Sequence, residues 1–287
     1  MAFEPIEIDT FFDEQLDEWQ TARDNYAALA RMRTRSLLVD DVLYKVQFNP
    51  ARIGSTAAQT DARSIGARPC FLCRAHRPPE QRSLSGVLGK YEILVNPYPI
   101  FPRHLTIPLM KHRPQSLVEE GAGIRFGDLL TLAKLLPAFT LFYNGARSGA
   151  SAPDHLHFQA GSRGVLPIEE ARYRSRFEQH ARFIDTDSKE EAIARFSELF
   201  RSLRVSQEGA EPMLNILCWY HDGQWTVSLF PRKKFRPACY HATGSAQLLC
   251  SPAAVEMGGL IILPRAEDFE KITATDIHHI IREVCKP

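Results

Sequence analysis

The sequence predicts an α+β protein, and three observations carry that prediction. Stretches whose apolar residues recur every three or four positions are interspersed with short runs rich in β-branched and aromatic residues, so the chain carries both helices and strands. Two strand-like runs, 213–220 and 225–230, are separated by His221-Asp222-Gly223-Gln224, a hairpin turn that implies antiparallel pairing. With 287 residues, 44% of them hydrophobic and 24% charged, the chain can bury a sizeable core as one large domain or two small ones.

Taken in order, residues 7–32 come first. Phe12, Leu16, Trp19, Ala22, Tyr26 and Leu29 step by three or four and share one helical face, the pattern of a helix packed on a core. Residues 36–48 read as a strand or hairpin broken at Asp40-Asp41, and Asn49-Pro50-Ala51-Arg52 ends it with turn chemistry. A polar, small-residue loop, expected to be mobile, spans 54–68. Strands are expected at 91–95 and 105–108, on either side of Asn96-Pro97-Tyr98-Pro99. Leu129, Leu130, Leu132 and Leu135 predict a helix over 125–135, followed by a strand over 137–143. Two polar helical segments, 168–183 and 188–204, precede the hairpin. Residues 231–237 form the one dense basic run, either a solvated face or a source of phosphate-binding charge. Strands at 248–252 and 259–264 and a helix over 273–284 close the sequence.

Charge and cysteine usage bound the function. Lys+Arg 35 against Asp+Glu 34 leaves a net charge of +1, which argues against bulk binding to nucleic acid or anionic membrane. The N-terminus lacks the basic and apolar regions of a signal peptide, and no apolar run approaches a membrane span. Of the six cysteines only Cys70 and Cys73 are close in sequence; a reducing, cytoplasmic setting fits. A Cys-x-x-Cys pair is either a redox couple or half of a metal site. Here a loop precedes it and Arg77-Pro78-Pro79 soon follows, which favours metal over a thioredoxin-like strand–motif–helix.

The chemistry concentrates in residues 144–159. Asn144-Gly145-Ala146-Arg147-Ser148-Gly149-Ala150-Ser151 is a small-residue loop that leaves backbone N–H groups accessible to an anion. It leads to a strand-like run, 155–159, in which His155, His157 and Gln159 are expected on one face and Leu156 and Phe158 on the other. Two imidazoles and an amide would then face a site while two apolar side chains anchor the strand.

His155-x-His157-x-Gln159, preceded by an Asn and a Gly/Ser loop, resembles the active-site motif of the histidine-triad superfamily, in its galactose-1-phosphate uridylyltransferase branch. The variant His-Leu-His-Phe-Gln looks closer still to the GDP-hexose phosphorylases of that superfamily. The likeness is strong over 70–160 and weak after it. It implies two histidine-triad-like halves around antiparallel sheet, 1–165 with the motif and 166–287 completing the substrate site. It implies His157 as nucleophile and Gln159 as donor to the phosphoryl oxygen. Asn144, Ser148, Gly149 and Ser151 match the substrate loop, Asn96 an Asn near the nucleotide, and Arg52 a phosphate-binding Arg. An ordinary surface Arg or turn-forming Asn is the competing reading of those last two.

The same resemblance implies zinc held by Cys70, Cys73, His112 and His155. His104, in a Pro-x-His setting, is the alternative to His112. The expected activity is nucleotidyl transfer or phosphorolysis of a nucleoside diphosphate sugar, GDP-hexose favoured, through a nucleotidyl-histidine intermediate with phosphate or sugar 1-phosphate as acceptor. Rival readings are a dinucleoside polyphosphate phosphorylase, a nucleotide hydrolase and, from another class, a non-catalytic zinc-stapled binding protein. Oligomeric state stays open, a homodimer included.

Overall fold

A computed structural model describes residues 5–119, 123–203 and 211–286. The α+β expectation is met. Thirteen strands occur among these residues. The first seven are β1 Thr34–Val39, β2 Val42–Phe48, β3 Leu84–Val87, β4 Tyr91–Val95, β5 His104–Pro108, β6 Val118–Glu119 and β7 Gly123–Ile124. The rest are β8 Phe139–Asn144, β9 His157–Ser162, β10 Arg182–Thr186, β11 Leu214–His221, β12 Gln224–Pro231 and β13 Leu260–Leu263.

Eight strands form one antiparallel sheet in the order β10-β12-β11-β8-β9-β5-β4-β3. Strands from both ends of the chain therefore share it, joined where β8 pairs with β11. A smaller sheet, β1-β2-β13, has one parallel pairing, between β2 and β13. Strand alternation divides the core across the large sheet. One face carries Leu105, Ile107, Leu141, Tyr143, Phe158, Ala160 and Ile216 into a core closed by the helices Pro5–Glu18, Phe126–Leu135 and Lys189–Ser202. The other face sends Phe142, Leu217 and Phe230 into a second core under the small sheet and the helix Ala274–Val284. Between that second core and the β4 side, the same face is left to line a cavity.

Local chemistry explains the boundaries. The helix expected at 7–32 is two helices, Pro5–Glu18 and Gln20–Ala30, interrupted at Trp19, whose backbone is extended. Asp40 and Asp41 both take positive φ (47° and 63°), the I′-like turn geometry that lets a two-residue loop match the twist of β1 and β2. Asp222 (49°) and Gly223 (82°) do the same between β11 and β12.

Several expectations need correction. The 54–68 loop carries two short helices, Ile53–Thr56 and Ala62–Gly66, the second capped by Asp61 accepting from the Ser64 N–H at 3.0 Å. Residues 168–183 are no continuous helix; they break into 3-10 turns, the single turn Arg174–Phe177 and the start of the edge strand β10. Residues 248–252 pair with no strand among those described. Their backbone is met instead by side chains and nearby carbonyls: the Leu249 N–H donates to Asp268 at 2.9 Å and the Leu248 N–H to the Cys239 carbonyl at 3.0 Å. The strand expected at 155–159 begins only at His157.

Candidate active site

The cavity over the large sheet has a volume of about 1040 Å³. His157 and Gln159 open β9 on its floor, with Thr106 of β5 beside Gln159 on one side and Phe142 of β8 on the other. Leu156 and Phe158 point into the core opposite, as alternation requires.

His157 is buried at 4% exposure. Its Nδ1–H donates to the His155 carbonyl at 2.8 Å, which fixes the tautomer and leaves Nε2 as the ring nitrogen with no protein partner among the described residues. Burial pushes the imidazole down to about 4, helped by the neighbouring His155 and partly opposed by the hydrogen bond to the His155 carbonyl. The ring is therefore neutral at neutral pH. Gln115 holds the strand start: its Oε1 accepts from the His157 N–H at 2.8 Å, and its Nε2 donates to the carbonyls of Asn144 at 2.8 Å and His157 at 3.1 Å. This clamp sits beyond the last β8–β9 ladder pair, Phe142 with Gln159, where the two strands diverge.

Gln159 is oriented by His104. The ring contact runs from His104 Nε2 to Gln159 Oε1 at 3.0 Å, which turns the Gln159 amide N–H₂ away from His104. Burial pushes His104 down to about 3, with the positive charge of Arg52 adding to the shift, so its ring is neutral and Nε2–H is the donor. Phe101 and Phe142 flank that ring with centroids 5.7 and 5.8 Å away. His104 is thus no metal ligand in this arrangement; it packs against Gln159, away from the sulfurs.

His155 departs from the same-face expectation. The chain has not yet entered β9, and the His155 ring turns out of the cavity toward the two cysteines. Its Nδ1 lies 3.2 Å from Cys70 Sγ and 3.5 Å from Cys73 Sγ, and Cys73 Sγ lies 3.2 Å from His112 Nδ1. The four donor atoms all fall within 4.8 Å of one another. These separations are close to the edge of a tetrahedron with bonds of about 2.0–2.3 Å. The Nε2–H of His155 donates to the Leu109 carbonyl at 2.7 Å, leaving Nδ1 to face the cluster, an outer contact of the kind that orients metal-binding imidazoles. The loop bearing the cysteines is fastened from both ends. Arg77 donates to the Leu72 carbonyl at 2.9 and 2.6 Å and pairs with buried Glu92 at 2.6 Å, while Arg68 pairs with Asp154 at 2.8 Å. Burial and the adjacent Cys70 push the Cys73 thiol up to about 11.

Of the other residues singled out from sequence, Arg52, Asn96, Asn144, Gly149 and Ser151 line the cavity, and Ser148 does not. Ser148 is fully buried beside the loop, its hydroxyl without a partner, and its carbonyl accepts from Asn215 at 2.7 Å. Gly149 has φ +102°, and a Cβ there would stand 2.6 Å from that of Ala253, so only glycine fits. Asn144 works as a structural hub: its Oδ1 accepts from Asn215 Nδ2 at 2.8 Å and from the Ala254 N–H at 2.9 Å. Asn96 donates to Thr106 at 3.0 Å and accepts from the Tyr98 N–H at 2.9 Å. Arg52 reaches the Tyr98 carbonyl at 2.9 Å.

The basic run divides by role. Arg232 is buried, donating to Asn215 and to the carbonyls of Val284, Lys234, Phe235 and Pro252. Lys234 pairs with Glu283. Arg236 lines the cavity, and it donates to Ser251 at 3.1 Å and to the carbonyls of Thr56 and Ala58 at 3.1 and 2.7 Å. Sequence reasoning missed Gln115 and Glu256, the latter lining the cavity and accepting from the Ala253 N–H at 2.8 Å, whereas Arg236 falls in the run read as a source of phosphate-binding charge.

A neutral imidazole thus stands at the floor of a polar-walled cavity, with an oriented amide beside it and a cluster of metal-ligand type behind it. The chain belongs to the family described as a domain of unknown function (DUF4922), whose model matches residues 11–162. A second model, the GDPGP1-like C-terminal domain, matches residues 188–285. No curated protein matches the sequence. Among solved structures the fold is similar to that of yeast Ap4A phosphorylase Apa2, with a TM-score of 0.60 at 15% identity over 93% of this chain and 97% of that one. The same protein determined with AMP and with Ap4A matches equally, at TM-score 0.60 and 15% identity.

Proposed function

We propose that the protein is a nucleotidyltransferase or phosphorylase that splits a nucleoside diphosphate sugar through a nucleotidyl-His157 intermediate. The observation that carries this reading is the hydrogen bond from His157 Nδ1 to the His155 carbonyl, which presents an unpartnered Nε2 to the cavity. Nε2 attacks the α-phosphorus and forms a P–N bond; the P–O bond to the distal phosphate breaks, and sugar 1-phosphate leaves. The positive charge that develops on the ring is shared with the His155 carbonyl through Nδ1–H. Gln159, held by His104, donates an amide N–H to the non-bridging oxygen that gains charge. An oxygen of phosphate, or of a second sugar 1-phosphate, then attacks the same phosphorus. The P–N bond breaks and neutral His157 returns.

Cys70, Cys73, His112 and His155 suit zinc: two thiolates and two imidazoles form a closed tetrahedral set with no open position. Bound there, the ion supplies structural cross-linking alone, fixing the residue two places before the nucleophile. GDP-hexose is the favoured substrate, supported by the His-Leu-His-Phe-Gln motif and by the GDPGP1-like match. The fold likeness to an Ap4A phosphorylase, together with a cavity large enough for a two-ended substrate, supports a dinucleoside polyphosphate phosphorylase as the second reading.

Intact-protein mass spectrometry after mixing with GDP-hexose in the absence of acceptor tests the intermediate. One added nucleoside monophosphate is expected in wild type and none in His157→Ala. An adduct that persists in His157→Ala overturns the assignment. No adduct with any nucleotide sugar or dinucleoside polyphosphate supports the non-catalytic binding protein instead.

A further inference from the structure

A second cavity, of about 240 Å³, shares no lining residue with the first. It lies among the β1–β2 turn, the residues that follow Phe177, and the final helix, Ala274–Val284. Arg176, Lys233, Arg282 and Lys286 reach its lining, against Asp40 as the single acidic side chain there. Asp40 is engaged by His278 at 2.7 Å and Arg176 by Asp41 at 2.7 Å. Lys233, Arg282 and Lys286 make no ion pair among the described residues. The chain as a whole carries a net charge of only +1, so this concentration is local.

Backbone pairing builds the cluster. Arg232 bridges Cys285, the Lys233 N–H donates to the Val284 carbonyl at 3.0 Å, and the Lys286 N–H to the Pro231 carbonyl at 2.9 Å. The segments bearing the two lysines are thereby locked side by side. His180 also lines this cavity, its ring stacked on Phe230 with centroids 6.0 Å apart. The Met257 backbone carbonyl lies against that ring and takes its one N–H. Burial pushes that ring down to about 4, partly opposed by the hydrogen bond to the Met257 backbone, so His180 gives the cavity a neutral wall beside the three cations. The volume falls below the roughly 300–1,000 Å³ of ordinary drug-sized ligand sites, which points to an occupant smaller than a nucleotide.

We infer that this second cavity binds a small phosphoryl dianion, free phosphate or a short phosphate monoester, through Lys233, Arg282 and Lys286. It is a site separate from the nucleotide cavity and does not depend on the activity proposed for that cavity.

Calorimetric titration of the full chain with inorganic phosphate and with glycerol 3-phosphate tests it. An event that persists in Arg52→Ala, and weakens about tenfold or more in Lys233→Gln/Arg282→Gln, is expected from the loss of two charge-assisted contacts. Lys286→Gln removes one charge, keeps the backbone pairing with Pro231 and should weaken the same event, so it decides the matter if the double variant does not fold. Tighter binding of glycerol 3-phosphate names an ester as occupant; tighter binding of phosphate names the free ion. Binding unchanged in both Lys233→Gln/Arg282→Gln and Lys286→Gln, or lost in Arg52→Ala alone, places phosphate in the first cavity and overturns the inference.

Discussion

Two histidines two residues apart do different work because each ring has one nitrogen already committed. His157 gives Nδ1 to a carbonyl and keeps Nε2 for the cavity, whereas His155 gives Nε2 to Leu109 and turns Nδ1 to the sulfurs. The motif's spacing was legible in the sequence; the divergence of the rings was not, because it depends on β9 starting at His157. Gln159 and His104 act as a unit, with His104 setting which end of the amide faces the cavity. Removing Gln159 should lower turnover about a hundredfold to a thousandfold, as loss of one oxyanion donor does elsewhere. His104→Phe keeps the packing against Phe101 and Phe142 but frees the amide to rotate. It should cost on the order of a hundredfold in kcat through misplacement, with KM for nucleotide little changed. A kcat for His104→Phe equal to wild type would show that the hydrogen bond is merely structural.

At the scale of elements, strands with strong periodicity and turn chemistry were readable, and segments that lean on side-chain contacts were not. The β11–β12 hairpin and the β1–β2 turn follow from Asp222-Gly223 and Asp40-Asp41. Residues 168–183 misled because their polar composition mimics an exposed helix, while Phe177 and Ile184 are buried by tertiary contacts. The cysteine loop is held by Arg77, Glu92, Arg68 and Asp154, a set with no local sequence pattern. Its four candidate ligands should retain about one zinc per chain through chelator washing. Elemental analysis should find that ion lost in Cys70→Ser and retained in His104→Ala. Loss in His104→Ala with retention in His112→Ala would reverse the assignment of the third ligand.

For the molecule as a whole, the large sheet was foreseeable as antiparallel, but its continuity across both halves of the chain was not. That continuity rests on β8 meeting β11 and on Glu211 beneath the junction. Glu211 accepts from the Leu117 N–H at 2.8 Å and from the Tyr143 hydroxyl at 2.8 and 3.0 Å. Burial pushes its carboxyl up to about 7, against the hydrogen bonds from Leu117 and Tyr143. The folded state thus holds this proton more tightly than the unfolded chain. The contribution is full below the ordinary carboxylate range and is lost as pH rises through about 7. Denaturant midpoints measured from acid to neutral pH should fall less steeply in Glu211→Gln than in wild type; equal slopes would remove Glu211 from the account. Substrate choice also belongs to this scale, since the cavity is walled by both ends of the chain. With phosphate as acceptor, GDP-hexose should turn over faster than a UDP-sugar, and a screen reading released sugar 1-phosphate decides between them.

The Ala254 N–H that meets Asn144 belongs to a residue 110 positions further along the chain. On the ribosome, then, His157 emerges long before the far wall of its cavity. β9 can pair with β8 and β5 at once, but the other edge of β8 stays bare until β11 has been made. A bare central strand invites the wrong partner. A nascent chain paused before Leu214 holds the histidines and the two cysteines, yet it lacks Arg232, Arg236 and the cover for Phe142. The first half alone leaves that strand edge open to mispairing during translation, and the cavity is closed only by the second half.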